Sequence, residues 1–283
     1  MESRFTEPQR RAIQELVGLP PKLSPDAAST RRSVTIREVR EALGLPEPSH
    51  MDMVTDDSWL MGGAPMRWIC GERLGDGGGD IDLFFPSADA LNRAGRALLA
   101  QGCTFRCFRA WKIMCQRCGR PGQVVRNENG TRPEPSYFPS IRCEVCGELG
   151  PEDYARTTAE NLLPLTPELI TGSGMLAAEL ATPSGQIVHL SAIVLKPTPQ
   201  DFIAGVDFSV VQFLLTRDEL HFGPYSWTDL LTDRCRVTCF THPTHNYYRM
   251  RKYAAAGFQP YGSTRLRVTL RHLAHLPRQI LKI

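Results

Sequence analysis

Four cysteines stand as two matching knuckles, Cys115-x-x-Cys118-Gly119 and Cys143-x-x-Cys146-Gly147. Four thiolates at that spacing suffice to close a tetrahedral zinc shell. The glycine after each knuckle lets the backbone turn tightly around a metal. The stretch between them carries Asn127, Asn129, Gly130, Pro133, Pro135 and Pro139 and cannot build a core of its own. Metal binding would therefore supply its folding energy. With sulfur at all four positions no coordination site stays open, so the expectation is a structural Zn2+ held by Cys115, Cys118, Cys143 and Cys146. A second constellation is the pair Asp80-Ile81-Asp82. On a strand, residues two apart point the same way, so both carboxylates share one side. Two such anions repel, and a divalent cation relieves the repulsion. Magnesium takes one or two carboxylates plus substrate phosphates, and aspartates holding Mg2+ or Mn2+ are common machinery for in-line attack at phosphorus.

Both constellations need elements to hold them. Residues 58–61 (SWLM) read as a buried strand ended by Gly62-Gly63, with a helix following over 65–74. A glycine-rich turn at 75–79 leads into a strand over 80–85 that carries Asp80 and Asp82 between apolar neighbours. A helix is expected over 88–101 and a strand over 103–109. After the cysteine segment, 176–181 and 187–195 read as a hairpin joined at Ser184-Gly185. Further on come a short helix at 199–204, a strand at 206–215, a helix at 227–232, a helix at 245–256 stopped by Gly257, and a partly helical basic tail from Arg265. Near the N-terminus, Ile36, Val39 and Leu43 have helical spacing, with Thr35 as N-cap and Gly44 as stop.

The 283 residues are 42% hydrophobic, with 33 Lys plus Arg against 30 Asp plus Glu, a net charge of +3. That composition supports a buried core and excludes wholesale disorder. The charge is too small to argue nucleic-acid binding by itself. No run approaches the ~18 apolar residues of a membrane helix, and residues 1–5 lack the apolar segment of a secretion signal. An intracellular, cytoplasmic protein with no membrane partner is expected, its nine cysteines serving as thiols and metal ligands rather than disulfides. Cys70, Cys103, Cys107, Cys235 and Cys239 lack any knuckle context and are expected in the core.

The run Leu60-Met61-Gly62-Gly63-Ala64 followed by Gly79-Asp80-Ile81-Asp82-Leu83 resembles the nucleotidyltransferase superfamily of the DNA polymerase beta type. Ile187-Val188-His189-Leu190, Val206-Asp207-Phe208 and the stretch from Tyr248 to Phe258 are similar to later segments of a viral and phage-like branch. The resemblance covers about residues 55–260, with the cysteine module inserted. It implies an α/β (α+β) fold: a nucleotidyltransferase-type mixed sheet with flanking helices and an inserted four-cysteine zinc ribbon. It also implies that Gly62 and Gly63 contact nucleotide phosphates and that Asp80 and Asp82 hold magnesium. The superfamily adds a third acid from a later central strand, but here His189 occupies that place. Asp207 and Glu179 are the candidate substitutes, and Asp207 is preferred, giving a catalytic set of Asp80, Asp82 and Asp207.

Arg249 and Lys252 lie three apart on one expected helix and could neutralise a triphosphate. Tyr247, Tyr248 and Tyr253 interleave with them, with packing the favoured role. Arg106, Arg109, Lys112, Arg117, Arg120 and Arg126 surround the first knuckle and could form a basic surface for nucleic acid. The expected organisation is a helical and linker segment over 1–50, a nucleotidyltransferase core over 51–112, a zinc ribbon over 113–150, and the remaining core with a helical C-terminal part over 151–283. The expected activity is transfer of a nucleoside monophosphate from an NTP to a hydroxyl, with an RNA end as first acceptor and a partner protein as another. The alternative is a non-catalytic nucleic-acid- or protein-binding module on a degenerate version of the same fold.

Overall fold

A computed structural model describes residues 4–48, 51–72, 80–86, 88–115, 118, 122–125, 140–143, 145–149, 154–160, 175–193, 198–240 and 243–280. In chain order the helices are α1 (Glu7–Val17), α2 (Ile36–Leu43), α3 (Gly63–Ile69), α4 (Ala88–Ala100), α5 (Pro199–Ala204), α6 (Ser226–Leu231), α7 (Pro243–Ala255) and α8 (Gly262–Ile280). The strands are β1 (Ser33–Thr35), β2 (Trp59–Met61), β3 (Ile81–Phe85), β4 (Thr104–Cys115), β5 (Gly122–Val125), β6 (Ser140–Cys143) and β7 (Gly147–Leu149). They continue with β8 (Tyr154–Glu160), β9 (Met175–Ala181), β10 (Ile187–Ile193), β11 (Phe213–Leu215), β12 (Glu219–Phe222), β13 (Arg234–Cys235) and β14 (Gln259–Pro260). The fold is mixed α/β, as the sequence suggested. The chain divides into two compact units that interleave along it: Met1–Pro48, Met61–Arg73 and Pro199–Ile283 form one, Ser49–Leu60 and Leu74–Thr198 the other.

The second unit is built on a mixed sheet in the order β2–β3–β10–β9–β4–β8. β10 runs parallel to β3 and antiparallel to β9, and β4 is antiparallel to both β9 and β8. Ile81, Leu83 and Phe85 alternate along β3 and are fully buried. Val188 and Leu190 on β10 and Ala178 and Leu180 on β9 do the same. This apolar face is covered by α4, whose Ala90, Leu91, Ala94 and Leu98 fall at helical spacing and are buried. Gly95 sits where a Cβ would meet Leu190 Cδ1 at 3.6 Å, so the helix lies close on β10. β4 runs six residues beyond the strand expected over 103–109 and ends on Cys115. The hairpin of β6 and β7 places Cys143 opposite Gly147, with β5 on the other side of β6.

In the first unit, α1 and α2 both open with capping boxes, Thr6 with Gln9 and Thr35 with Glu38. Both end on a left-handed glycine, Gly18 at φ 69° and Gly44 at φ 68°. Ile36, Val39 and Leu43 are buried as their spacing required. β1, β12 and β11 form an antiparallel set in that order. The strand expected over 206–215 is a correction: only Phe213–Leu215 forms a strand, and Ser209–Val211 is a 3-10 turn. Phe208, Val210, Val211, Phe213, Leu214 and Leu215 are all buried, so the run has no alternation to mark a strand. Gln212 turns its amide onto the carbonyls of Ile203 and Val206 and stabilises the bend instead.

The core of this unit holds Trp227 with the rings of Phe213 and Phe222 edge-on, at 5.1 and 5.9 Å. Beside it, the fully buried Asp229 on α6 accepts from Arg236 Nε and Nη2 at 2.8 and 2.7 Å, from Tyr261 Oη at 3.0 Å and from the Ser209 hydroxyl. The guanidinium lies over the rings of Tyr225 and Tyr261. One carboxylate thus joins the 3-10 turn, α6, and the segments leading to and from β13 and β14. Cys235 and Cys239 are buried as expected, and burial pushes the Cys235 thiol up to about 12. Removing one member of a buried ion pair strands the other charge. We expect Asp229→Ala to cost about 3–5 kcal/mol of this unit's stability, read as a lower denaturant midpoint by tryptophan fluorescence. A loss under about 1 kcal/mol would place the network among the weak, surface-like pairs.

Candidate active site

On the face of the second unit's sheet away from α4, polar side chains line up across three strands. Register pairs His189 with Asp82 on β3 and with Glu179 on β9. Parallel and antiparallel neighbours in the same row place their side chains on one face. His189 Nδ1 lies 3.3 Å from Asp82 Oδ1, and its Nε2 lies 3.5 Å from Glu179 Oε2. The three side chains are about one-third exposed, between 28% and 40%. A fourth member comes from β4. Its register against β9 shifts between Phe105 and Cys107, so Arg106 is the additional residue of a bulge. Its Nη1 reaches Glu179 Oε1 at 3.3 Å.

The hairpin loop sets this row. Gly185 donates its amide to Thr182 O, and Thr182 donates to Gln186 O, which leaves three residues in the loop. Gly185 sits at φ 84°, the left-handed position such three-residue loops require. That loop pairs Ile187 with Ala181 and hence His189 with Glu179.

Asp80 immediately precedes β3 and is exposed. Strand alternation puts it on the same side as Asp82. Its charge is felt at His189: the hydrogen bond to Asp82, then the charges of Asp82, Asp80 and Glu179, hold the imidazole's pKa above its ordinary value, against partial burial. Three carboxylates therefore gather around one imidazole and one guanidinium. Asp80 and Asp82 are accessible oxygen donors two residues apart, a set that fits a hard divalent cation. Among the described residues no three His, Cys, Asp or Glu side chains converge on one point that could hold a metal ion. His189 stands between Asp82 and Glu179, so the two carboxylates do not meet as arranged.

No protein-family model matches the chain, and no curated protein matches it in sequence. Among solved structures, it is similar to a CCA-adding enzyme in an apo form, at 11% identity and a TM-score of 0.47, over 89% of this chain and 48% of that one. It is also similar to the Thermotoga maritima CCA-adding enzyme complexed with tRNA, at 12% identity and a TM-score of 0.47, over 86% of this chain and 46% of that one. The chain thus spans about half the length of these enzymes' chains.

The other residues singled out from sequence belong to the first unit, to the cysteine segment of the second, or fall outside the described residues. Gly62 takes φ 90° and ψ −135°, a conformation open to glycine alone, and turns the chain from β2 into α3. A Cβ on Gly63 would come within 3.1 Å of Arg67 Nη1. Asp207 is buried and accepts from Asn246 Nδ2 and Arg249 Nη1, both at 3.0 Å. Burial pushes its carboxyl above the usual range, with Arg249 and Asn246 pulling the other way. Lys252 is exposed on α7. Tyr253 packs edge-on against Phe208, Tyr247 stacks on His272, and Tyr248 stays 60% exposed. Of the four zinc candidates, Cys118 is exposed and Cys146 half-buried, while the side chains of Cys115 and Cys143 lie outside the described ones. So do the side chains of Arg109, Lys112, Arg117, Arg120 and Arg126. Gly147, after the second knuckle, takes φ 77° in the β6–β7 hairpin.

The sequence named Asp82, His189 and Glu179 separately, but Arg106 entered only as one of a basic group. A bulge leaves no signature in an alternating run, so its pairing with Glu179 was not visible. In chelator-treated protein, we expect His189 to titrate above its ordinary value of about 6.5. Asp82→Asn removes the hydrogen-bonding anion and should move that midpoint down, as followed by NMR of the imidazole. An unchanged midpoint would disprove the contact.

Proposed function

We propose that the chain is a metal-dependent nucleotidyltransferase that moves a nucleoside monophosphate from an NTP to a hydroxyl acceptor, an RNA end in the first instance. The observation that carries this reading is the row of Asp82, His189 and Glu179 across β3, β10 and β9, with Asp80 on the same side. The acceptor hydroxyl passes its proton to a carboxylate of the Asp80–Asp82 pair as its oxygen attacks the α-phosphorus. The bond from that phosphorus to the bridging oxygen breaks, and pyrophosphate leaves. Asp80 and Asp82 are the residues that would hold Mg2+ or Mn2+, which when bound neutralises phosphate charge and favours the ionised acceptor. Glu179 is the third acid in this reading: its register places it in the same row, and its long side chain can reach past β10 once His189 turns aside. Asp207 has one carboxylate oxygen engaged by Arg249 and Asn246 within the other unit. Roles for Gly62, Gly63, Arg249 and Lys252 in holding the nucleotide rest on the sequence resemblance alone.

A structural Zn2+ on Cys115, Cys118, Cys143 and Cys146 belongs to the same proposal. It is supported by the left-handed Gly147 and by the placement of Cys115 and Cys143 at the ends of β4 and β6. Sulfur donors at this spacing suit zinc.

A second reading has one observation in its favour. His189 takes a central position between Asp82 and Glu179, and its imidazolium can satisfy those anions without any metal. A binding module on a degenerate transferase fold would keep such an arrangement.

Incubation with each α-labelled NTP, Mg2+ or Mn2+, and total RNA separates the readings. We expect label transfer by the wild type, and a fall of at least about 100-fold in Asp80→Asn, Asp82→Asn and Glu179→Gln. RNA binding without transfer under every NTP and metal would select the binding module. Metal analysis of the purified chain should find about one zinc, lost together when Cys115 and Cys143 are replaced by serine; none at all would remove the ribbon from the proposal.

A further inference from the structure

α8 presents two opposite faces. Thr264, Val268 and His272 are buried and hold it against its unit. On the other side Leu266, Leu270 and Leu273 are 60%, 56% and 54% exposed. Half of the large apolar side chains exposed among the described residues are on this one helix, so they are not random surface leucines. Their spacings are four and three, the repeat of a helix–helix seam. The rims are cationic. Arg265 lies on one side of the leucines, with Arg267 and Arg271 on the other, and all three are exposed. The second rim is fixed in place, since Arg267 and Arg271 lie over the Phe240 ring at 5.1 and 3.9 Å. The helix contains no Asp or Glu.

We propose that this face of α8 docks an amphipathic helix of a partner protein, with leucine-type residues in its seam and acidic residues along both flanks. Charge selects this occupant. A second copy of the chain would bring arginine rims against arginine rims, since α8 offers no acid to pair them. A nucleic acid would meet the arginines and leave the leucines in water. An anionic membrane would have to take up a broad apolar face, but here the stripe is one residue wide, lacks aromatic residues, and sits on a helix whose opposite face is already buried. An acidic partner helix alone uses the leucines and both rims together.

The test uses the full chain and two synthetic amphipathic peptides with identical leucine seams, one flanked by glutamate and the other by lysine, followed by fluorescence anisotropy. The expected result is saturable binding of the glutamate peptide only. Leu270→Ser with Leu273→Ser should weaken it at least about tenfold, with unchanged circular dichroism and thermal midpoint, because both side chains are already exposed. Equal binding of both peptides, or binding that survives the double variant, would overturn the proposal. So would a dimer in sedimentation, or capture by phosphatidylserine vesicles, that the double variant abolishes while the glutamate peptide fails to bind.

Discussion

The position of β10 between β3 and β9 is the constraint on which the candidate site depends. Val188 and Leu190 point into the apolar layer under α4, together with Ile81, Leu83, Ala178 and Leu180. A slip of one residue would send these side chains to water and His189 into the core. Burying Val188 and Leu190 alone is worth on the order of 3–6 kcal/mol. Two carboxylates on strands about 10 Å apart near a surface repel by about 2 kcal/mol. The apolar term wins, so the sheet can force like charges onto its other face. The repulsion is then relieved locally, by the imidazole between Asp82 and Glu179 and by Arg106 on the bulge.

Two of the polar networks among the described residues contrast in a way that bears on function. Asp229 is fully buried and accepts from Arg236, Tyr261 and Ser209, and its guanidinium partner lies over two rings. Such a network has a single arrangement and serves the fold. The row on the sheet is one-third exposed, its contacts are 3.3–3.5 Å, and it holds more carboxylates than the one imidazole can match. Its members can exchange partners with a ligand at little cost to the core, since the apolar face beneath them keeps the register whatever the polar face binds.

Much of this was legible in the sequence, and what was not has identifiable causes. The N-cap at Thr35, the stop at Gly44 and the alternation around Asp82 are local signals, and local signals survive folding. The run over 206–212 failed because side chains buried on every side carry no period. The row failed for a subtler reason. A two-residue loop at Ser184-Gly185 would pair His189 with Leu180, whereas the three-residue loop with Gly185 left-handed pairs it with Glu179. One residue of loop length decides whether an acid or a leucine faces the imidazole. The preference for Asp207 over Glu179 from sequence had no access to that distinction, nor to the guanidinium and amide that engage Asp207.

His189 is then the residue on which the functional readings diverge. An acid in its place would put three adjacent carboxylates on neighbouring strands, close enough for one cation to touch all of them. With the imidazole present, Asp82 and Glu179 stand two strands apart, and strands are spaced about 4.8 Å. Aspartate at 179 would be too short to bridge that gap, but glutamate has one more methylene and is already drawn toward the middle strand. A cation held by Asp80 and Asp82 would offset the negative charge that these two carboxylates present to His189. As the side chains stand, Asp82 and Glu179 are met by His189 and Arg106. One register therefore serves both the proposed transferase and the binding module, which differ in what the polar face holds rather than in the fold.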